Sequence, residues 1–268
     1  MNQPDINFQQ LKDIIVDVAN KELLPRLANV SYSNKSDNSI VTEADIAAQE
    51  SIIKQLKKYW PAIPLLGEEM SPEEQNQILQ SKQAVWCLDP LDGTSNFATG
   101  IPYFAISLAL LFNGKCILGV VYDPSRNEYF QAQDITGQLS ASLNSKTLKL
   151  SSHQSVLSHA MAIIDLKRLP KNTAARVASE PPYASQRNFG ASALDWCWLA
   201  ASRAQVYLHG NQNIWDYAAG ELIFRAAGGF SITLAGEAVF KQALEKRSVV
   251  AATGKALFTE WTQWLNIN

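Results

Sequence analysis

The chain has 268 residues, a formal net charge of −2 and 47% apolar residues. That length can build one large domain or two small ones around a real core, and that apolar fraction excludes a disordered chain. The near-neutral balance gives no footing for nucleic acid or an anionic membrane, which need clustered basic surface. No basic run is longer than Lys57-Lys58 or Lys246-Arg247, and both pairs read as solvated helix ends.

The opening MNQPDINFQQ lacks the basic and apolar regions of a signal peptide. Residues 7–28 then place Leu11, Ile14, Ile15, Val18 and Leu23 at helical spacing. A polar loop over 31–40 leads to a second helix, 42–59, which Thr42 can cap with Asp45 three residues on. Pro61 and Pro64 end it, and a short strand at 63–66 runs into Gly67-Glu68-Glu69. A compact apolar run, 84–88, ends in Asp89-Pro90. Strands are predicted at 104–112, 116–122 and 128–132, the first two joined by an Asn113-Gly114 hairpin. A meander following helices indicates the α+β class. Residues 134–158 are rich in Ser, Gln and Asn and read as a surface connection with short strands. His153 and His159 face solvent there.

The second half reads strand 160–164, helix 169–178, helix 192–202, strand 205–208, helix 214–227, strand 248–252 and helix 255–265. Gly228-Gly229 stops the fifth of these. Trp196 and Trp198, in one helix, read as core or interface residues. Cys87, Cys116 and Cys197 are widely spaced in apolar runs, so neither a disulfide framework nor a zinc site is expected. No apolar run approaches the roughly 18 residues that span a bilayer. The chain reads as soluble, reduced and cytoplasmic: one domain over 1–268, with subdomains dividing near residue 140 into 1–140 and 141–268.

Four acids sit where an element ends or begins: Glu68, Asp89, Asp92 and Asp216. In Asp89-Pro90-Leu91-Asp92-Gly93-Thr94 the proline fixes one backbone angle and the glycine permits a tight turn. Two carboxylates can then face one side, with a free Leu91 carbonyl between them. Gathered carboxylates need a compensating cation, and oxygen-only donors favour Mg²⁺ over Zn²⁺. Taken singly, each has a structural reading too. The D-P-x-D-G string can be only a turn, Asp216 can cap its helix, and Asp45 can be only a capping-box acid.

Together the strings resemble the inositol monophosphatase family of the lithium-sensitive, metal-dependent sugar phosphatases. The likeness runs from Val41-Thr42-Glu43-Ala44-Asp45 through Gly67-Glu68-Glu69, Asp89–Phe97 and Gly119–Pro124 to Trp215-Asp216-Tyr217-Ala218-Ala219-Gly220 and Ala227-Gly228-Gly229. It implies a layered α/β/α/β/α sandwich of the inositol monophosphatase/fructose-1,6-bisphosphatase type. It implies two or three Mg²⁺ per active site, held by Glu68, Asp89, Asp92, Asp216 and the Leu91 carbonyl. It implies a catalytic set of Glu68, Thr94 and Asp45, in which Thr94 orients the attacking water and Asp45 takes its proton. Lys35 is the nearest match to a mobile-loop lysine. Phosphate would rest on the Gly93 and Thr94 amides. The substrate site would add Leu91, Asp92, Gly190, Ala191, Ser192, His209 and Asp216. Lithium inhibition and a homodimer are further implications, and apolar residues near Trp196 suit a dimer surface.

The pattern departs in two places. Ser192 stands where the family's G-x-A string has Ala, and His209 stands where inositol phosphatases carry a ring-binding Glu. Imidazole cannot replace an acceptor-only carboxylate. His209 is either a substrate contact, for example to a second anionic group, or a partly exposed strand-end residue. Arg187 matches a basic position at the pocket or dimer edge. The reaction indicated is hydrolysis of inositol monophosphate or a related small phosphomonoester. Fructose 1,6-bisphosphate, histidinol phosphate and adenosine 3′,5′-bisphosphate stay open as substrates. The reading from a different class is a regulatory binding partner, for example of transcription or ribosome machinery. No nucleic-acid or membrane partner is expected.

Overall fold

The computed structural model describes residues 3–27, 29, 32–34, 40–80, 84–135, 137–150 and 156–267. Helix α1 (Phe8–Val18) buries Leu11, Ile14, Ile15 and Val18, and its first turn is held by the Asn7 side chain, which accepts from Gln10 N. The predicted long helix does not stay regular. It passes through a π-turn at Ala19–Leu23 into a 3-10 turn at Leu24–Arg26, where Pro25 cannot donate. Strands β1 (Tyr32–Asn34) and β2 (Ile40–Thr42) pair antiparallel and lead directly into α2 (Glu43–Tyr59).

A seven-stranded sheet follows. In it β3 (Leu65–Gly67) runs parallel to β4 (Val85–Asp92). From β4 an antiparallel meander continues through β5 (Ala105–Phe112), β6 (Lys115–Asp123), β7 (Glu128–Ile135), β8 (Gln138–Leu143) and β9 (Lys146–Thr147). Asn113 and Gly114 both take positive φ (51° and 75°), the twist a two-residue hairpin needs. Helices α3 (Pro72–Gln80) and α4 (Thr94–Ala98) lie in its connections. The second sheet has five strands. Its elements in chain order are β10 (Met161–Asp165), α5 (Lys171–Ser179), β11 (Ser185–Arg187), α6 (Ser192–Ala200), β12 (Val206–Gln212), α7 (Ile214–Ala226), β13 (Phe230–Ile232), β14 (Arg247–Ala252) and α8 (Lys255–Trp264). The strand order is β11-β10-β12-β14-β13.

Period-two alternation assigns each strand to two cores. On β4, Trp86 and Leu88 face α1 and α2, while Val85 and Cys87 face α6 and α7. On the second sheet, Ile163, Tyr207 and Val249 face α6 and α7, while Ala162, Ile164, Val206 and Val250 face α5 and α8. The result is the expected α/β/α/β/α sandwich. Its middle layer, α6 and α7, touches both sheets and is buried along most of its length, acids such as Asp195 and Glu221 included. Gly220 permits this: a Cβ there would lie 2.6 Å from the Trp196 Cβ.

Several expectations are corrected. Lys246-Arg247 is no helix end. Arg247 opens β14, is only 6% exposed, and donates to Glu237 Oε2 (2.6 Å) and the Ala238 carbonyl (2.8 Å). Trp196 is fully buried among Tyr207 and Phe224, so it offers no dimer surface. Helix α3 and strands β11 and β13 went unpredicted: α3 buries only Gln75, so its apolar signal is faint. The three cysteines are buried and free, and His159 is exposed. Lys35 and His153 lie outside the described residues. No helix among them is long and apolar enough to cross a membrane.

Candidate active site

Residues three apart on a regular strand point to opposite faces. Asp89 and Asp92 escape this rule because β4 bulges between them. Asp89 pairs with Ser107 and Asp92 with Ala105, so three steps on β4 match two on β5. The extra residue turns both carboxylates to the same side. Pro90, which cannot donate to a ladder, is tolerated at such a bulge. Asp89 Oδ1 accepts from Leu91 N (3.0 Å), and Asp92 Oδ2 accepts from Ala193 N (2.6 Å) in the first turn of α6. Gly93 takes φ +90°, and a Cβ there would meet the Tyr103 carbonyl at 2.9 Å. Only glycine turns the chain from β4 into α4 at this point.

Asp45 joins the two readings made of it. Its Oδ2 closes a capping box, accepting from Thr42 N (2.8 Å) and Thr42 Oγ1 (2.5 Å). Its Oδ1 lies 3.0 Å from the Thr94 hydroxyl, which donates to it or to the Leu91 carbonyl, also at 3.0 Å. When the hydroxyl donates to Asp45 the Leu91 carbonyl is left open to a cation, and when it donates to Leu91 a second lone pair remains. Asp216 behaves like Asp45: its Oδ2 caps α7 by accepting from Asn213 N (2.8 Å). Glu68 follows β3, whose pairing with β4 carries the Glu68 backbone to the Leu88 carbonyl (3.2 Å).

These residues line one cavity of about 220 Å³. Glu68, Asp89, Leu91, Asp92, Gly93, Thr94, Gly190, Ala191, Ser192, His209 and Asp216 all face it, and Asp45 lies behind Thr94. Arg187 is exposed and is not part of its lining. The partly exposed alternative for His209 is overturned. The ring is 3% exposed; Nδ1 accepts from Asn211 N (3.1 Å), and Nε2 faces Asp165 Oδ2 at 3.4 Å. Burial, which outweighs the Asp165 charge, holds its pKa below the usual histidine value, so the imidazole is neutral at pH 7. The cavity also exposes residues the sequence reading missed: Asp165, Lys167, Arg168, Asn188, Asp195, Asn213 and Lys246. Asp195 left a signal, an acid within the apolar run of α6. The others did not.

Burial raises the Asp89 and Asp92 carboxyls well above the carboxylate range; nearby acids add to the effect, Glu68 foremost for Asp89 and Asp216 for Asp92. Asp216 is pushed up to about 7 by burial and then by Glu68. Asp195 rises to about 8 through burial, against the hydrogen bond that Tyr103 Oη donates to it (3.1 Å). Among the described residues, no group of three or more His, Cys, Asp or Glu side chains converges closely enough to hold a metal ion as it stands. Asp89, Asp92 and Asp216 each have an oxygen engaged by a backbone amide. The donor set is nonetheless all oxygen and mostly buried, which is what a hard divalent cation fits.

The sequence model of the inositol monophosphatase family matches residues 3–265. The chain belongs to that family. A relative from Pasteurella multocida, named Nus factor SuhB, is 36% identical over 199 residues, covering 73% of this chain and 72% of that protein. A Thermotoga maritima IMPase superposes with a TM-score of 0.81 at 26% identity, covering 97% of each chain. The extragenic suppressor protein suhB of Bartonella henselae gives 0.80 at 28% identity, covering 96% of this chain and 97% of that one.

Proposed function

We propose that the protein is a Mg²⁺-dependent phosphatase of small phosphomonoesters, acting by direct attack of water. The observation that carries this reading is the pair of contacts at Thr94. One hydroxyl bridges the bulged carboxylate turn and the second oxygen of the buried Asp45, whose other oxygen caps α2. Glu68, Asp89, Asp92, Asp216 and the Leu91 carbonyl would hold the cations. When bound, divalent cations there would neutralise the phosphate, lower the pKa of water and steady the departing oxygen.

The chain's own groups do the rest. A water that donates to Thr94 Oγ1 is aimed while Thr94 donates to Asp45, so one proton passes from water through the hydroxyl to the carboxylate. The water oxygen bonds to phosphorus as the ester P–O bond breaks with its electron pair on the ester oxygen; that oxygen takes a proton from solvent to leave as the alcohol, and Asp45 returns its proton to solvent. No side chain of α4 caps its first turn, so the backbone amides beside Gly93 are available to a phosphate oxygen. Inositol monophosphate is one candidate substrate. A neutral, buried His209 whose two nitrogens are both engaged cannot accept from ring hydroxyls as a carboxylate does, which moves the reading toward other small esters.

The test is phosphate release from inositol 1-phosphate, histidinol phosphate, fructose 1,6-bisphosphate and adenosine 3′,5′-bisphosphate with saturating Mg²⁺, repeated in ¹⁸O-water. One labelled oxygen should enter phosphate with inversion. Retention, or no release from any ester, would eliminate the proposal. Full activity in roughly tens of millimolar Li⁺ would count against the family's metal arrangement.

The name Nus factor, borne by the Pasteurella relative, favours a second reading, in which the fold serves as a regulatory binding partner. Asp92→Asn discriminates: a cellular role that survives it belongs to binding, and one that is lost belongs to catalysis.

A further inference from the structure

A second cavity, of about 470 Å³, shares none of its described lining residues with the active site. It is bordered by the start of β6, the C-terminal half of α7, the start of β13 and the segment 238–240 ahead of β14. Small-molecule sites run to about 300–1,000 Å³, so its size is suitable. Nothing in the hydrolysis proposed above uses it.

Its apolar side is held in place by the protein's own contacts. Phe230, 37% exposed, packs on Phe258 with ring centres 6.0 Å apart. Phe240 stands edge-on to Tyr217 of α7, whose hydroxyl donates to the Lys241 carbonyl (3.0 Å). Arg247 Nη2 donates to the Ala238 carbonyl (2.8 Å), which ties the 238–240 segment to β14. Water against such rings is poorly bonded, and an apolar body that displaces it gains free energy.

Glu221, in the same lining, is a carboxylate short of donors. It is 4% exposed. Its Oε1 gathers both of its contacts, Arg225 Nε and Ser231 Oγ, each at a long 3.4 Å. Its Oε2 accepts no hydrogen bond among the described residues. A buried acceptor without a donor is costly and rare, and burial pushes this carboxyl above its usual range against the pull of Arg225. Lys115 and Arg225 are matched in the lining by Asp134 and Glu221, so an ionic occupant gains nothing from the net charge.

We propose that this cavity is a second ligand site, which takes a neutral, flat, mainly apolar molecule bearing one N–H or O–H donor. The body lies on Phe230 and Phe240, and the donor goes to the Glu221 carboxylate, whose idle oxygen it satisfies. The site is independent of whichever ester the active site takes.

Two probes test this: 5-fluoroindole and 5-fluoro-1-methylindole, which share a ring system while only the first has an N–H. Each is titrated into full-length protein and followed by ¹⁹F NMR, with saturating Mg²⁺ and inorganic phosphate present to occupy the active site. 5-Fluoroindole should bind with Kd on the order of 1 mM, and the methylated probe about tenfold more weakly. Phe230→Ala, a change at an exposed ring, should weaken both probes about threefold to tenfold and keep their ratio. Glu221→Leu, with folding checked by thermal melting, should weaken only 5-fluoroindole and bring the ratio toward one. Equal affinities for the two probes overturn the proposal. So does binding untouched by Phe230→Ala, which would lie elsewhere, or no saturation of 5-fluoroindole by about 10 mM, which would leave the cavity to water only. Each of these outcomes leaves the phosphatase reading standing.

Discussion

Two regions of the active-site cavity are built by different means. The acidic lining comes from chain-local devices: a one-residue bulge between Asp89 and Asp92, and two capping boxes in which Asp45 and Asp216 each spend one oxygen on a helix start. The rest of the lining comes largely from the five-stranded sheet, whose order β11-β10-β12-β14-β13 sets Asp165 beside His209. The contrast separates tasks. Chemistry that must hold groups within a fraction of an ångström uses bulges and caps, which fix side chains through the backbone. Selection of a substrate body tolerates longer, exposed side chains.

If that division is right, damage to the acidic lining should be far more severe. Asp92→Asn keeps an acceptor for Ala193 N but removes a charge, and kcat/KM should fall on the order of a hundred- to a thousandfold. The same variant should be no less stable without metal at pH 8, checked by thermal melting. A loss smaller than that of Lys246→Gln would invert the comparison. Thr94→Ala should cost about a hundredfold in kcat, and Thr94→Ser should recover most of it, since only the hydroxyl is needed. Equal defects would show that Thr94 acts through its methyl packing.

The pH dependence of the metal-free protein sharpens the same contrast. Asp216 has a folded pKa of about 7, above the unfolded value, as do Asp89 and Asp92 in direction. Their contribution to stability is complete below the unfolded pKa near 4 and is lost as pH rises through 7. Saturating Mg²⁺ should therefore raise Tm by about 5 °C at pH 8, and by less at pH 6. An equal shift at both pH values would mean the carboxylates are not the cation site. The smallest effect is backbone strain. Gly93→Ala should destabilise by about 1–2 kcal/mol in urea melts, because alanine resists the positive φ. It should impair activity more than that loss of stability explains, since α4 would no longer start where Thr94 meets Asp45.

Much of the architecture was readable in order. The meander, the Asn113-Gly114 hairpin and the caps at Thr42 and ahead of Asp216 are local patterns whose signal lies within a few residues. Elements without an apolar stripe escaped. Helix α3 buries little, and β11 and β13 are three-residue edge strands that exist only because a neighbour offers its backbone. Lys246-Arg247 misled because a basic pair looks the same at a helix end and at a strand start. The partners that bury Arg247, Glu237 and Ala238, come from a preceding turn.

The amino-acid order by itself determined the Asp89–Asp92 turn, but not its meeting with Glu68 and Asp216. The proline, glycine and paired aspartates that make the bulge are adjacent, so their geometry follows from the backbone angles they allow. Tertiary structure alone decided that meeting and the state of His209. Period-two alternation says which face a strand residue takes but not which strand lies beside it. Only the burial of the middle helices between two sheets selects the pairing that puts Asp165 against His209 and brings both to the active-site cavity.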